Sequence, residues 1–247
     1  MDEYPGETGK TVVVWLLFHI PSLYVIPLSD IEQSLRERLS KVGRQLYADG
    51  LTHDASGNIS ARVPCTDTCL IKPSGYRFCD LVPEHFLLVD INTREVLKGT
   101  AKPSIETPFH TKLYLQWPDA GGVVHIHPKY CTILATLGIE IVPMGLELYN
   151  APALAKGIPI SKFAAPGSEE LADNMVTAMR EHVACLMPHH GSTTIGKSIE
   201  EAAQNAKILE MLAQLHYDVM LVGEPESLPQ SMLDMLVKRA ADKGLLV

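Results

Sequence analysis

The segment Val124-His125-Ile126-His127-Pro128 constrains the fold more than any other stretch of the chain. Residues two apart on a strand project to one face, so the two imidazoles stand side by side, and Pro128 opens a helix that ends near Gly138. A pair set this way has a chelating geometry, although His-x-His on a strand is equally a satisfied or surface pair. The strand spans about Gly122 to His127 and follows a helix from about Glu106 to Gln116, so strand and helix alternate through the middle of the chain.

The flanking sequence extends this pattern. Ser29-Asp30-Ile31-Glu32 reads as a capping box, with Leu35, Leu39, Val42 and Leu46 continuing at helical spacing to about Asp49. Short β-like runs follow at Asn58 to Val63, Thr68 to Lys72, Phe86 to Ile91 and Glu95 to Leu97, with Asn92-Thr93-Arg94 as a hairpin turn. Beyond them come a helix from Ser168 to about His182, an apolar run Ala184 to Met187 and a turn at His190-Gly191. A strand Ser192 to Ile195 and helices from about Ile199 to Tyr217 and Pro229 to Lys243 complete the chain. No repeat or linker interrupts the series, so the expectation is one three-layer α/β domain over residues 29–247, with a mixed, largely antiparallel central sheet flanked by helices.

Residues 1–28 stand apart as an apolar arm. Val12 to Ile26 is strongly hydrophobic, but at about 15 residues, broken by His19 and Pro21, it is a poor membrane span. Acidic residues precede it, unlike a secretory signal, and it is read as a buried strand or arm. A net charge of −8, from 21 basic and 29 acidic residues, argues against nucleic-acid or anionic-membrane partners and leaves room for a small anionic substrate. Five cysteines, an odd number, read as free thiols in a reducing compartment, the cytoplasm by default. Cys65, Cys69 and Cys79 are too loosely spaced for a zinc cluster.

A third imidazole is available at His190, where a turn can present it into a cleft, while His189 would point the opposite way. Three histidines with an open fourth position suit a catalytic divalent site. Pro103-Ser104-Ile105-Glu106 can bring a carboxylate to the same cleft as a ligand or a general base. On spacing alone, Glu106 is equally a helix N-terminal acid. A metal beside a carboxylate suits proton abstraction next to a carbonyl. The turns Ser56-Gly57-Asn58 and Lys72-Pro73-Ser74-Gly75, with Ser104, offer an anion cradle, though each is also an ordinary turn sequence.

Taken in order, Ala55-Ser56-Gly57-Asn58-Ile59-Ser60, Ile71-Lys72-Pro73-Ser74-Gly75, Lys102-Pro103-Ser104-Ile105-Glu106, Val124-His125-Ile126-His127-Pro128 and His190-Gly191 resemble the class II aldolase/adducin family from about Ser29 onward. The resemblance implies a homotetramer with interfacial active sites and a divalent metal on His125, His127 and His190. Zinc is the first choice of metal, and manganese, iron or cobalt suit the same ligands. It also implies Glu106 as acid/base and a phosphate site from Gly57, Asn58, Ser74, Gly75 and Ser104. The expected activity is metal-dependent aldol cleavage of a small hydroxy-carbonyl, a sugar phosphate, through a metal-stabilised enediolate. Decarboxylation and 4-epimerisation on the same scaffold are alternatives, and a non-enzymatic adducin-like interaction domain is a more distant one. Two departures bear on the choice: Ile105 stands where sugar-phosphate enzymes of the family carry a second serine, and Lys243 stands where a C-terminal tyrosine donates a proton. Lys243 reads either as a replacement donor or as a surface lysine, and Tyr149 is the nearest candidate for a second tyrosine of the family.

Overall fold

The computed structural model describes residues 27–246, so the expected apolar arm lies outside the described residues except for Pro27 and Leu28. Six helices and seven strands follow in the order α1 (Leu28–Ala48), β1 (Asn58–Arg62), β2 (Thr68–Ile71), β3 (Leu87–Asp90), β4 (Val96–Lys98), α2 (Thr107–Gln116), β5 (Gly122–Ile126), α3 (Lys129–Leu137), α4 (Glu169–Ala178), β6 (Ala184–Met187), β7 (Gly191–Gly196), α5 (Ile199–Met220) and α6 (Gln230–Asp242). The strands form one sheet in the order β4-β3-β2-β1-β5-β7-β6, and every neighbouring pair is antiparallel. The parallel component of the expected mixed sheet is an isolated bridge between Ile160 and Leu186.

Alternation along the strands divides the interior into two layers. Ile59, Ala61, Leu70, Leu88, Val124 and Ile126 face α1 and the first turns of α5, where Leu39, Val42, Leu46, Ala202 and Ala206 cover them. Cys69, Ile71, Leu87, Val89 and Val123 face the other way, under α2, α3, α4 and α6. Strand β5 is buried along its whole length, so His125 lies inside the second layer. Among the described residues, no helix is long and apolar enough to cross a membrane.

Two element ends differ from the sequence expectation. The capping box does not form: α1 starts at Leu28 behind Pro27, which puts Ser29 inside the helix with its hydroxyl on Asp30. Glu32 is drawn instead to Arg36 and Lys98, each at 2.7 Å. Helix α4 stops at Ala178, short of His182, and the Trp117 indole donates to the Met179 carbonyl at 2.9 Å, satisfying a group the helix leaves free.

Helix α5 lies close on the sheet because Gly122 and Gly196 face each other across β5 and β7. A Cβ at Gly122 would sit 2.5 Å from the Ile199 Cα at the start of α5. Gly122→Ala is therefore expected to push α5 from the sheet and cost about 1–3 kcal/mol, read as a lower urea midpoint with circular dichroism unchanged in native buffer. An unchanged midpoint would show that this contact does not set the helix position.

Candidate active site

Strand β5 carries His125 into the layer beneath α2, and His127 follows one residue past the strand end, on the same side of the chain. The turn between β6 and β7 brings His190 to them. The three rings form a nearly equilateral triangle, with centroids 4.9, 4.7 and 4.8 Å apart. One nitrogen from each lies within 4.8 Å of the others. His125 Nδ1 donates to the Ser192 carbonyl at 3.0 Å, leaving Nε2 as a bare lone pair aimed at the cluster.

Burial depresses all three rings. His125 is held well below the ordinary imidazole range, chiefly by desolvation and then by His127 and His190. His127 is pushed down to about 4 by burial and then by His190, against the pull of Glu106, and His190 is also lowered by burial. The rings are thus neutral at pH 7, and His125 Nε2 lies only 3.0 Å from His127 Nε2. Neutral imidazoles converging this closely make a donor set suited to a divalent cation with one position left open.

Glu106 occupies the position just before α2 and is 5% exposed. Its carboxylate makes no capping bond to the helix. It turns to the histidines instead, with Oε2 3.2 Å from His125 Nε2 and Oε1 3.2 Å from His190 Nε2. The helix-acid reading of Glu106 is therefore replaced by one in which it belongs to the cluster. Asn58 Nδ2 donates to Oε2 at 2.7 Å, whereas Oε1 is buried without a hydrogen bond. An orphaned carboxylate oxygen next to imidazole nitrogens fits the same cation, because a buried acceptor without a partner is costly.

The expected anion cradle is partly assembled around this carboxylate. Asn58 is paired in register with His125, and a Cβ at Gly57 would lie 2.5 Å from the His125 carbonyl, at φ +81°, so glycine is required there. Ser104 is buried, and its hydroxyl accepts the Glu106 backbone N–H at 3.2 Å. A bridge between Pro73 and Pro103 joins the two loops, and Ser74 N–H donates to the Lys102 carbonyl at 2.9 Å, while Ser74 and Gly75 are exposed. Ile105 is 54% exposed.

Two candidates make no contact with this cluster. Lys243 is exposed just past α6 and makes no ion pair or hydrogen bond with the histidines or Glu106. The Tyr149 hydroxyl donates to the Met232 sulfur at 3.4 Å, and Arg239 lies over its ring, so it serves the packing of α6. His189 is in a left-handed conformation, at φ 57°, and its ring meets Phe163 rather than the cluster. No cysteine joins a metal-ligand group among the described residues, and burial pushes the Cys69 thiol up to about 12.

Sequence reasoning missed two buried groups. Lys72 is 1% exposed and donates to the carbonyls of Ala55 and Gly57 at 3.2 and 3.3 Å, bracing the Gly57 turn from behind. Burial pushes its ammonium down to about 8, against the opposing pull of Glu106. His110 is fully buried beside Asn58. The signal for it was present, since Glu106, His110 and Tyr114 recur at four-residue spacing opposite Asn58, Ser60 and Arg62 at two-residue spacing.

The model of the family described as Class II Aldolase and Adducin N-terminal domain matches residues 37–217. The chain is 33% identical to a 5-methylthioribulose-1-phosphate/5-deoxyribulose-1-phosphate aldolase of Rhodospirillum rubrum, covering 85% of this chain and 93% of that protein. It is 30% identical to a 3-oxo-tetronate 4-phosphate decarboxylase of Escherichia coli, over 78% of this chain and 90% of the relative. Among solved structures it matches an L-fuculose 1-phosphate aldolase with a TM-score of 0.78 at 27% identity, over 86% of this chain and 97% of the other.

The depressed histidines set a pH prediction. A free imidazole begins to yield its metal to protons below about 6. A ring lowered to about 4, as His127 is, competes with protons correspondingly later. Metal content after dialysis at stepped pH is expected to hold to about pH 5 and fall toward 4; loss that is already complete at 6 would contradict a buried imidazole site.

Proposed function

The chain belongs to the class II aldolase and adducin family, and from that premise we propose that it is a divalent-metal-dependent lyase that cleaves a small sugar phosphate by a retro-aldol reaction. The observation that carries the reading is the convergence of His125, His127, His190 and the buried Glu106 carboxylate at the end of one strand. His125, His127 and His190 would hold the cation, with zinc first and manganese, iron or cobalt suited to the same ligands. When bound, a divalent cation supplies Lewis-acid polarisation of the substrate carbonyl.

The protein's own groups do the rest. Glu106, beside the imidazole nitrogens, is in reach of an atom held there and takes or returns the proton on the carbon next to the carbonyl. The Gly57 and Gly75 backbone, the second Nδ2 hydrogen of Asn58, and the hydroxyls of Ser74 and Ser104 supply donors for a phosphate. Lys243, exposed and remote within its own protomer, is suited to reach a neighbouring site in a homotetramer, where it would act as proton donor or anion contact. We assign residues 29–247 to the catalytic domain and the protein to the cytoplasm.

Ketose 1-phosphates are favoured as substrates by the aldolase named for 5-methylthioribulose 1-phosphate and 5-deoxyribulose 1-phosphate. Decarboxylation is the second reading, supported by the 3-oxo-tetronate 4-phosphate decarboxylase relative and by Ile105 in place of a serine. An interaction-only role is disfavoured, because it gives no reason to gather three imidazoles around a buried carboxylate.

Metal-loaded protein incubated with ribulose, 5-deoxyribulose and fuculose 1-phosphates is expected to release dihydroxyacetone phosphate, with none from a chelated sample. Carbon dioxide release from a 3-oxo acid phosphate, without aldol products, would select the second reading. His127→Ala is expected to lose metal and turnover while keeping the oligomer. Glu106→Gln should keep its metal and lose about 10²–10⁴-fold in kcat. Full turnover in either variant would remove that residue from the site.

A further inference from the structure

Beneath Glu106 lies a row of buried polar side chains, of which the proposed reaction uses only Asn58. Asn58, Ser60, His110 and Tyr114 are at most 4% exposed, and all but Asn58 are at zero. His110 Nε2 is hydrogen-bonded to Asn58 Oδ1, and His110 Nδ1 lies 2.7 Å from the Ser60 hydroxyl, which lies 2.8 Å from the Tyr114 hydroxyl. Asn58 Nδ2 completes the row by donating to Glu106 Oε2 at 2.7 Å.

Donor and acceptor chemistry leaves one direction for the whole chain. An ionised carboxylate only accepts, so Asn58 must turn its NH₂ to Glu106 and its oxygen to His110. That oxygen requires a proton on His110 Nε2. A second proton on Nδ1 would make a buried cation, which burial opposes: the ring is pushed down to about 3. Nδ1 is therefore a bare acceptor and Ser60 must donate to it. With its only hydrogen spent, Ser60 accepts from Tyr114, whose hydroxyl burial keeps protonated. Each bond fixes the sense of the next, and the series ends on one named oxygen of Glu106.

We propose that His110, neutral and protonated on Nε2, is a positioning residue that locks the Asn58 amide and so aims the Glu106 carboxylate, with Tyr114 and Ser60 setting its tautomer. This rests on the reading of Glu106 as the acid/base. Without the His110 proton the Asn58 amide is free to rotate and offer its oxygen to the carboxylate, which turns an attraction into a repulsion. Glu106 then loses the one side-chain donor it has among the described residues, while the backbone anchor of His125 and the placing of the other two imidazoles are untouched. The consequence is a loss in kcat without a matching loss of metal or of substrate affinity.

Two measurements test this. In metal-loaded wild-type protein labelled with ¹⁵N-histidine, His110, assigned by its absence from His110→Phe or His110→Gln, is expected to show a protonated Nε2 and a bare Nδ1. A protonated Nδ1 overturns the proposal, and this reading needs no active variant. In kinetics, His110→Phe is expected to keep metal content and KM but lose about 10–100-fold in kcat. His110→Gln, whose amide can donate to Asn58 and accept from Ser60, is expected to recover most of that loss. A His110→Phe enzyme with wild-type kcat, or a His110→Gln enzyme as slow as a folded His110→Phe, overturns the proposal. Glu106→Gln separates the two ideas: if that variant turns over normally, the reading of Glu106 fails, whereas a dead Glu106→Gln beside a fully active His110→Phe refutes only the positioning role.

Discussion

Helix α2 and strand β1 run side by side with nearly matched pitch, and the site depends on that match. Two strand residues advance about 6.6–6.8 Å, and four helix residues about 6 Å. Alternate residues of β1 can therefore meet every fourth residue of α2 across several steps before the mismatch accumulates. Asn58 meets Glu106 and His110, Ser60 meets His110 and Tyr114, and Arg62 meets the Tyr114 ring and carbonyl. Apolar residues along this seam would tolerate a slide of the helix by a residue. Polar ones do not, because a slip strands buried donors at about 1–3 kcal/mol each. The seam thus fixes where α2 begins along β1, and hence where Glu106 stands relative to His125 on the neighbouring strand.

Holding the buried His125 and Glu106 together with the half-buried His127 and His190 works against stability, and the surrounding structure carries the cost. Partial or full desolvation keeps the rings neutral, and below pH 6.5 each resists protonation in the fold while it is free to protonate in the unfolded chain. Folded-state affinities lowered in this way make the native state lose ground as pH falls. The two apolar layers, one under α1 and one under α2, α3, α4 and α6, offset this strain. Closure on both faces also gives the rings fixed orientations: Ser192 can hold His125 by its Nδ1 because β7 pairs with β5 along its length.

Much of this was legible in local pattern. The β5 strand and its pair of histidines followed from two-residue alternation, and α3 was bounded by Pro128 in front and Gly138 behind, where the structure ends it with a left-handed glycine. Features that depend on two distant segments were not legible. The capping box at Ser29 satisfied a local rule, but Pro27 starts the helix earlier and Glu32 finds Lys98 on β4. Tyr149 had the right chemistry and a plausible distance along the chain, yet α6 claims its hydroxyl. His110 shows only when its four-residue spacing with Glu106 and Tyr114 is set against the two-residue spacing of Asn58, Ser60 and Arg62, and only the register of α2 on β1 reveals what its two nitrogens touch.

That register also bears on how the proposed anion cradle and the proposed acid/base group are related. Asn58 and Ser104 were read as phosphate contacts, yet each is already bonded to Glu106: Asn58 through its side-chain nitrogen to the carboxylate, and Ser104 through its hydroxyl to the backbone N–H. Each keeps one hydrogen to offer, the second on Asn58 Nδ2 and the hydroxyl proton of Ser104. A ligand drawn to those hydrogens would pull on the same side chains that orient Glu106, so in the proposed reaction binding and proton transfer would share their supports. Ile105 lies between Ser104 and Glu106 in sequence but outside this arrangement, with its side chain largely exposed. An isoleucine there leaves the contacts of Glu106 with Asn58, Ser104, His125 and His190 unaltered, so the residue at position 105 can vary while the carboxylate and the three imidazoles keep one geometry.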